Sequence, residues 1–169
     1  MLRAYKCLVR PHIEYCCQAW SPKARHGNWA TILELENVQR LFTRMVRGMD
    51  NLTYSSRLKK LGLTTLLERR MRGDLIETFK VLNNFNNYGS QFFNLSQRTG
   101  NLVVRPNRKH TDFFSERVIF YWNKLPEYVK NSASVNNFKN NFDKFRKNGI
   151  TNNIQGQFWE LSNEIFRRI

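Results

Sequence analysis

Metal-dependent chemistry in this 169-residue chain would rest on its 13 carboxylates. Two-metal polymerase or nuclease chemistry needs two or three carboxylates converging on Mg²⁺. Here the acids are scattered singly, with no Asp-Asp pair. Several already have structural uses by spacing. Glu34 follows Thr31 and Glu68 follows Thr65 at the capping-box interval, and Asp74 lies four residues after Arg70, the interval of a helical ion pair. His12, His26 and His110 are far apart, without an acidic relay. Cys7, Cys16 and Cys17 form no Cys-x-x-Cys or Cys/His cluster, which excludes a zinc knuckle by ligand count, and an odd number of thiols near one end points to a reducing compartment. Cys16 and Cys17 lie in an apolar stretch and read as buried small hydrophobes. Neither a P-loop nor a Gly-rich dinucleotide turn is present. The sequence offers no catalytic residue, metal site or cofactor site.

The basic residues are the remaining chemical signal. Lys and Arg number 28, giving a formal charge of +15 and a pI near 10.2. A charge of that size points to a polyanion, nucleic acid ahead of a membrane surface. The charges also fall into stripes. Arg40, Arg44 and Arg47 recur at i, i+4 and i+7, while Arg69, Arg72 and Lys80 run along the flank of a second helix. Lys139, Lys144, Arg146 and Lys147 occupy the polar faces of a third. Arg98, Arg105, Arg108, Lys109 and His110 make one connector basic. A single such stripe is ordinarily a solvated face. Several together, with little compensating acid, favour phosphate contact, and Arg40, Arg44, Arg47, Arg69, Arg72, Arg108 and Lys109 are the candidates.

The elements that must carry these groups are helical. The periodicity predicts a long amphipathic helix over 64–82, capped by Thr65 and Glu68, with Leu67, Met71, Leu75, Phe79 and Leu82 as its buried seam. A second helix is predicted over 28–46, with Thr31 and Glu34 as capping box, Ile32, Leu35, Val38, Phe42 and Met45 as seam, and Gly48 closing it. A short helix over 55–61, ended by Gly62, joins the two. Upstream, Leu2, Tyr5, Leu8 and Val9 begin a helix that Pro11 should end, and a further short one runs to Trp20. Downstream, residues 113–124 read as helix with Phe114, Val118, Tyr121 or Trp122, and Leu125 inward, and Ser134 caps another with Val135, Phe138, Phe142 and Phe145 as seam. The aromatics, Phe113 included, read as core by this spacing and not as base-stacking platforms. Between them, Asn83, Asn84, Asn86, Asn87 and Gly89 break the period, and residues 102–106 suit a short strand.

The fold expected is mainly α, a domain of about six or seven helices with one irregular basic connector. The divisions expected are 1–82, a connector at 83–112, a helical region at 113–147 and an Asn-rich tail at 148–169 with a weak amphipathic helix. No apolar run is long enough to span a membrane and no secretory signal is visible, so a soluble intracellular protein is expected.

A family resemblance rests on several runs. Leu8-Val9-Arg10-Pro11-His12-Ile13-Glu14-Tyr15-Cys16, then Trp20-Ser21-Pro22, resembles the end of the reverse transcriptase of non-LTR (LINE-like) retrotransposons of the jockey and CR1 type. The likeness continues through Val38-Gln39-Arg40, Thr43-Arg44-Met45, Tyr54, Arg57-Leu58, Leu61-Gly62-Leu63, Arg69-Arg70-Met71-Arg72-Gly73-Asp74-Leu75-Ile76 and Phe79-Lys80. It returns in Phe113-Phe114-Ser115-Glu116-Arg117-Val118, Trp122-Asn123-Lys124-Leu125-Pro126, Ser134-Val135 and Phe138-Lys139. The resemblance implies the last part of the thumb and the helical region after it, with the endonuclease, fingers, palm and catalytic Tyr-x-Asp-Asp motif lying upstream in the family. On that reading the chain is a truncated or domesticated piece, not an enzyme on its own. Its partners would be RNA or an RNA–DNA hybrid, and the absent palm and fingers of the parent polymerase, with no small-molecule substrate. Two other expectations stand beside it. One is a helical protein-interaction lobe that docks through the seams at residues 1–9 and 158–169; the other is an inert remnant.

Overall fold

The structure is a computed structural model that describes residues 1–22, 29–83, 92–104, 113–149 and Arg167. The chain is mainly helical, with a single two-stranded sheet among the described residues. Its contacts divide it into two units, one holding Met1–Met71 and the other beginning at Arg72.

In the first unit, α1 (Leu2–Ala4), a π segment (Tyr5–Val9) and α2 (Arg10–Glu14) run on without a break. Pro11 therefore does not end the first helix. In a regular α-helix its ring would strike the carbonyl four residues back. The preceding turn is instead widened, with the Arg10 N–H donating to the Tyr5 carbonyl, and Pro11 sits in the first turn of α2. The break comes at Tyr15, which is extended, and at Cys16, the one non-glycine with positive φ (51°) among the described residues. α3 (Cys17–Trp20) follows, and the Trp20 indole N–H donates to the Tyr15 carbonyl at 2.8 Å. Of the two adjacent thiols only Cys17 is buried; Cys16 is exposed, because the left-handed turn puts the neighbours on different sides.

α4 (Trp29–Arg44) starts before Thr31, so Thr31 and Glu34 lie inside the helix and do not form its cap. Ile32 of the predicted seam is buried, but the other buried residues are unexpected. Ile32, Glu36, Gln39 and Thr43 face inward, whereas Met45, predicted for the seam, is exposed. The hydrophobic seam is displaced because this stripe finds polar partners. Glu36 accepts from the Tyr54 hydroxyl (2.5 Å) and from the Leu66 N–H with both oxygens (3.2 and 3.0 Å). Gln39 donates to the Tyr54 hydroxyl (2.9 Å) and the Thr64 carbonyl (3.0 Å), and accepts from the Tyr5 hydroxyl (2.9 Å). A buried polar side chain is tolerated when its hydrogen bonds are made, and here they join four segments.

α5 (Tyr54–Leu61) is capped by Thr53, which accepts from the Ser56 N–H, and ended by Gly62 in the left-handed region (φ 62°). Tyr54, Leu58 and Leu63 form a small core against which Leu2 and Leu61 pack. α6 (Leu66–Leu82) starts as expected: the Thr65 hydroxyl accepts from the Glu68 N–H at 3.1 Å. The boundary between the units falls within this helix.

In the second unit, β1 (Asn94–Leu95) and β2 (Leu102–Val103) pair antiparallel, Leu95 opposite Leu102, through a turn containing Gly100 at φ 65°. The strand expected at 102–106 is thus present in its first part as half of a hairpin. α7 (Phe114–Arg117) and α8 (Ile119–Asn123) replace the single predicted helix, and α9 (Glu127–Lys130) follows Pro126. Phe113 lies before the first of these helices and is exposed, which corrects its assignment to the core. α10 (Val135–Gly149) begins at Ser134, whose hydroxyl accepts from the Asn137 N–H. Its aromatic seam is buried as the periodicity predicts: Phe138 stacks on Phe79 at 4.6 Å, on Trp122 at 6.0 Å and on Phe142 at 6.3 Å between centroids. Burying each such ring contributes about 1.5–3 kcal/mol.

A candidate nucleic-acid interface on α4

The predicted phosphate contacts divide into three groups in the structure. Arg69 and Arg72 are held by carboxylates. Arg69 grips Glu14 with two nitrogens, Nε to Oε1 and Nη2 to Oε2, the latter at 2.9 Å. Arg72 holds Asp143 likewise, at 2.8 and 2.7 Å. Such forked pairs fix both side chains. The Glu14 carboxylate raises the Arg69 pKa against the effect of burial. Burial pushes the Asp143 carboxyl up, but the hydrogen bond and charge of Arg72, with Arg146 and Lys147 nearby, outweigh it and leave that carboxyl below its usual range. A phosphate would have to compete with a carboxylate at either arginine. Arg108 and Lys109 lie outside the described residues.

Arg40, Arg44 and Arg47 are placed differently. Arg40 is half-buried on α4, Arg44 is exposed at its last residue, and Arg47 is exposed in the following turn, closed by Gly48 at φ 76°. The helix ends two residues earlier than predicted, so Arg47 continues the stripe from the turn. None of the ion pairs among the described residues includes any of the three. Cations at a helix C-terminus are favoured there by the helix dipole.

The stripe has a buried foundation that its spacing did not disclose. Arg57 of α5 reaches to the end of α4, donating to the Leu52 carbonyl (2.6 Å), Thr43 Oγ1 (3.2 Å) and the Arg40 carbonyl (3.4 Å). Its guanidinium lies 5.7 Å from the Tyr54 ring centroid. Burial lowers the Arg57 pKa, and the charges of Arg40 and Arg44 lower it further, against the opposing effect of Tyr54. Like charges thus repel across this corner, and an anion laid against Arg40 and Arg44 would relieve that repulsion. Lys59 and Lys60, exposed in the last turn of α5, add positive charge to the same unit. Arg57, Lys59 and Lys60 escaped the sequence reading because their signal depends on α5 packing against α4.

Among the described residues, no group of three His, Cys, Asp or Glu side chains is placed to hold a metal ion. No described helix is long and apolar enough to cross a membrane. No known family model matches the chain, and no curated protein or solved structure matches it either.

Proposed function

We propose that this chain is a non-catalytic nucleic-acid-binding region that grips the phosphate backbone of RNA or an RNA–DNA hybrid through Arg40, Arg44 and Arg47, with Lys59 and Lys60 adding to the field. In identity it corresponds to the thumb and post-thumb part of a LINE-like reverse transcriptase, and the palm and fingers of such a polymerase are its natural protein partners. The observation that carries the proposal is that Arg40 and Arg44 of α4 and Arg47 of the following turn stand outside every described ion pair, the first two beside the buried Arg57. These groups are charge donors to phosphate and not readers of bases.

The test is fluorescence anisotropy with an RNA hairpin, an RNA–DNA hybrid and duplex DNA, each titrated at several salt concentrations. The variant Arg40→Ala/Arg44→Ala/Arg47→Ala should bind more weakly and lower the log–log salt slope by about 2–3 on a duplex. Arg69→Ala should leave that slope nearly unchanged, since its charge is spent on Glu14. An unchanged slope in the folded triple variant refutes the assignment.

A second reading, a protein-interaction lobe, is favoured by Leu41 and Met45, which are 62% and 61% exposed one helical turn apart on the same segment. It predicts self-association insensitive to added nucleic acid, measurable by sedimentation, with Leu41→Gln/Met45→Gln restoring the monomer.

A further inference from the structure

The loop between α4 and α5 carries the third arginine of the stripe, and one side chain joins its two ends. α4 stops at Arg44 and α5 starts at Tyr54, so Arg47 stands on the loop and not on the helix that presents Arg40 and Arg44. Within the loop the chain turns tightly. The Met49 N–H donates to the Val46 carbonyl at 3.0 Å, the Leu52 N–H donates to the Met49 carbonyl at 3.2 Å, and Gly48 takes φ 76°. Met49 is buried, which pins the loop at its middle, while Arg47 is exposed.

Arg57 closes the loop. Its Nη1 donates to the Leu52 carbonyl at the far end (2.6 Å), while its Nε reaches Thr43 Oγ1 (3.2 Å) and its Nη2 the Arg40 carbonyl (3.4 Å), both in α4. The Thr43 hydroxyl extends the grip by donating to the same Arg40 carbonyl at 3.0 Å. Holding three acceptors at once needs the rigid fork of a guanidinium, and an ammonium of equal charge has no such fork. Arg57 is 5% exposed, too deep to meet a phosphate itself. Burial, and then the charges of Arg40 and Arg44, lower its pKa. A purely structural clamp would not call for a cation facing two others; a cation closes the loop and adds to the field that draws a polyanion.

We propose that Arg57 is a positioning residue for phosphate binding: by holding the far end of the 45–53 loop against the end of α4, it keeps Arg47 on the same polyanion as Arg40 and Arg44. This rests on the phosphate reading of the stripe and adds a division of labour to it. Arg40 and Arg44 are presented by the helix and need no clamp; Arg47 depends on one.

The full chain is titrated with the RNA–DNA hybrid at several salt concentrations. Each phosphate contact adds about 1 to the log–log slope on a duplex, so Arg44→Ala and Arg47→Ala should each lower it by about 1 in the wild-type background. Arg57→Lys keeps the charge and loses the fork, and should lower the slope by about 1 on its own. In that background Arg47→Ala should lower it no further, while Arg44→Ala should still lower it by about 1. A general loss of stability would not single out Arg47. Thr43→Val, which removes one link of the clamp and leaves Arg57 in place, gives the same comparison even where Arg57→Lys does not fold by circular dichroism. The effect of Arg47→Ala should shrink in Thr43→Val, and Thr43→Ser should restore it in full. The proposal is overturned if Arg47→Ala lowers the slope equally with and without the clamp, or if Arg44→Ala loses its effect together with Arg47→Ala. An unchanged slope in Arg40→Ala/Arg44→Ala/Arg47→Ala means that the phosphate reading itself has failed. A lowered slope there, with Arg47→Ala acting equally in both backgrounds, means that the clamp alone has failed.

Discussion

The seating of α4 against the start of α6 depends on one carboxylate. Glu36 is fully buried and accepts from the Tyr54 hydroxyl and from the first N–H of α6, that of Leu66. Replacing it with Ala orphans both donors. A buried unsatisfied donor costs about 1–3 kcal/mol, so the two together cost about 2–6 kcal/mol. Removing a buried charge returns part of this, which brings the expected loss to about 2–4 kcal/mol. For a chain of this size that lowers Tm by about 5–15 °C. Glu36→Gln has nearly the same shape. Its carbonyl can still accept from Leu66, and the Tyr54 hydroxyl can turn to accept from its amide, so the loss should be about 1 kcal/mol. Urea and thermal unfolding followed by circular dichroism measure both. The pH dependence gives a second reading. Burial raises the Glu36 carboxyl above its ordinary 4.5, against the Tyr54 hydrogen bond, the Leu66 and Leu67 N–H groups and the Arg70 charge. A pKa raised by folding contributes stability that is fully present below the unfolded value and lost as pH rises through the folded one. Wild type should therefore lose stability relative to Glu36→Gln as pH climbs past 4.5. A loss below about 1 kcal/mol for Glu36→Ala, or equal losses for Ala and Gln, would refute this account of the network.

Three further outcomes test the remaining polar contacts. The Asp74–Arg117 pair is buried on both sides, at 2.8 and 3.0 Å. Asp74→Ala should cost about 3–5 kcal/mol by removing the carboxylate that balances a buried guanidinium charge, and Asp74→Leu/Arg117→Met should lose less than either single change; additive losses in urea unfolding would contradict this. Asp143 is held below its usual range, so its contribution is present above an ordinary Asp value of 3.8 and lost as pH falls through the folded value. Partial exposure of both partners limits that contribution to below about 1 kcal/mol, and Asp143→Asn should flatten the acid limb of the stability curve by no more than this. Asn123→Ala should speed hydrogen exchange at the Leu102 amide, and Asn123→Asp should not restore it, because a carboxylate facing the Leu102 carbonyl repels it. Unchanged exchange in Asn123→Ala would remove that side chain as the anchor of the hairpin.

What could be read ahead of the structure follows from the range of the interactions. The Phe138, Phe142 and Phe145 seam was legible because apolar residues at helical spacing need only be buried, and any core will serve. The Thr65 cap and the Gly62 stop were legible for a similar reason, since each is settled within one turn of chain. The buried face of α4 was not. Glu36, Gln39 and Thr43 are residues that periodicity assigns to solvent, and their burial is tolerated because Tyr54, Thr64 and Leu66 fold back onto the first two and Arg57 onto the third. The basic stripes divide by the same logic. Spacing found Arg40 and Arg44 together with Arg69 and Arg72, and it could not tell them apart. The carboxylates that engage the second pair lie 55 and 71 residues away along the chain. A charge counted in sequence is a charge available to a ligand only when folding brings it no partner. By that criterion the net +15 overstates what the chain can offer a polyanion, and the end of α4, where Arg57 occupies the carbonyls and Arg40, Arg44 and Arg47 stand outside the described ion pairs, is where phosphate binding should concentrate.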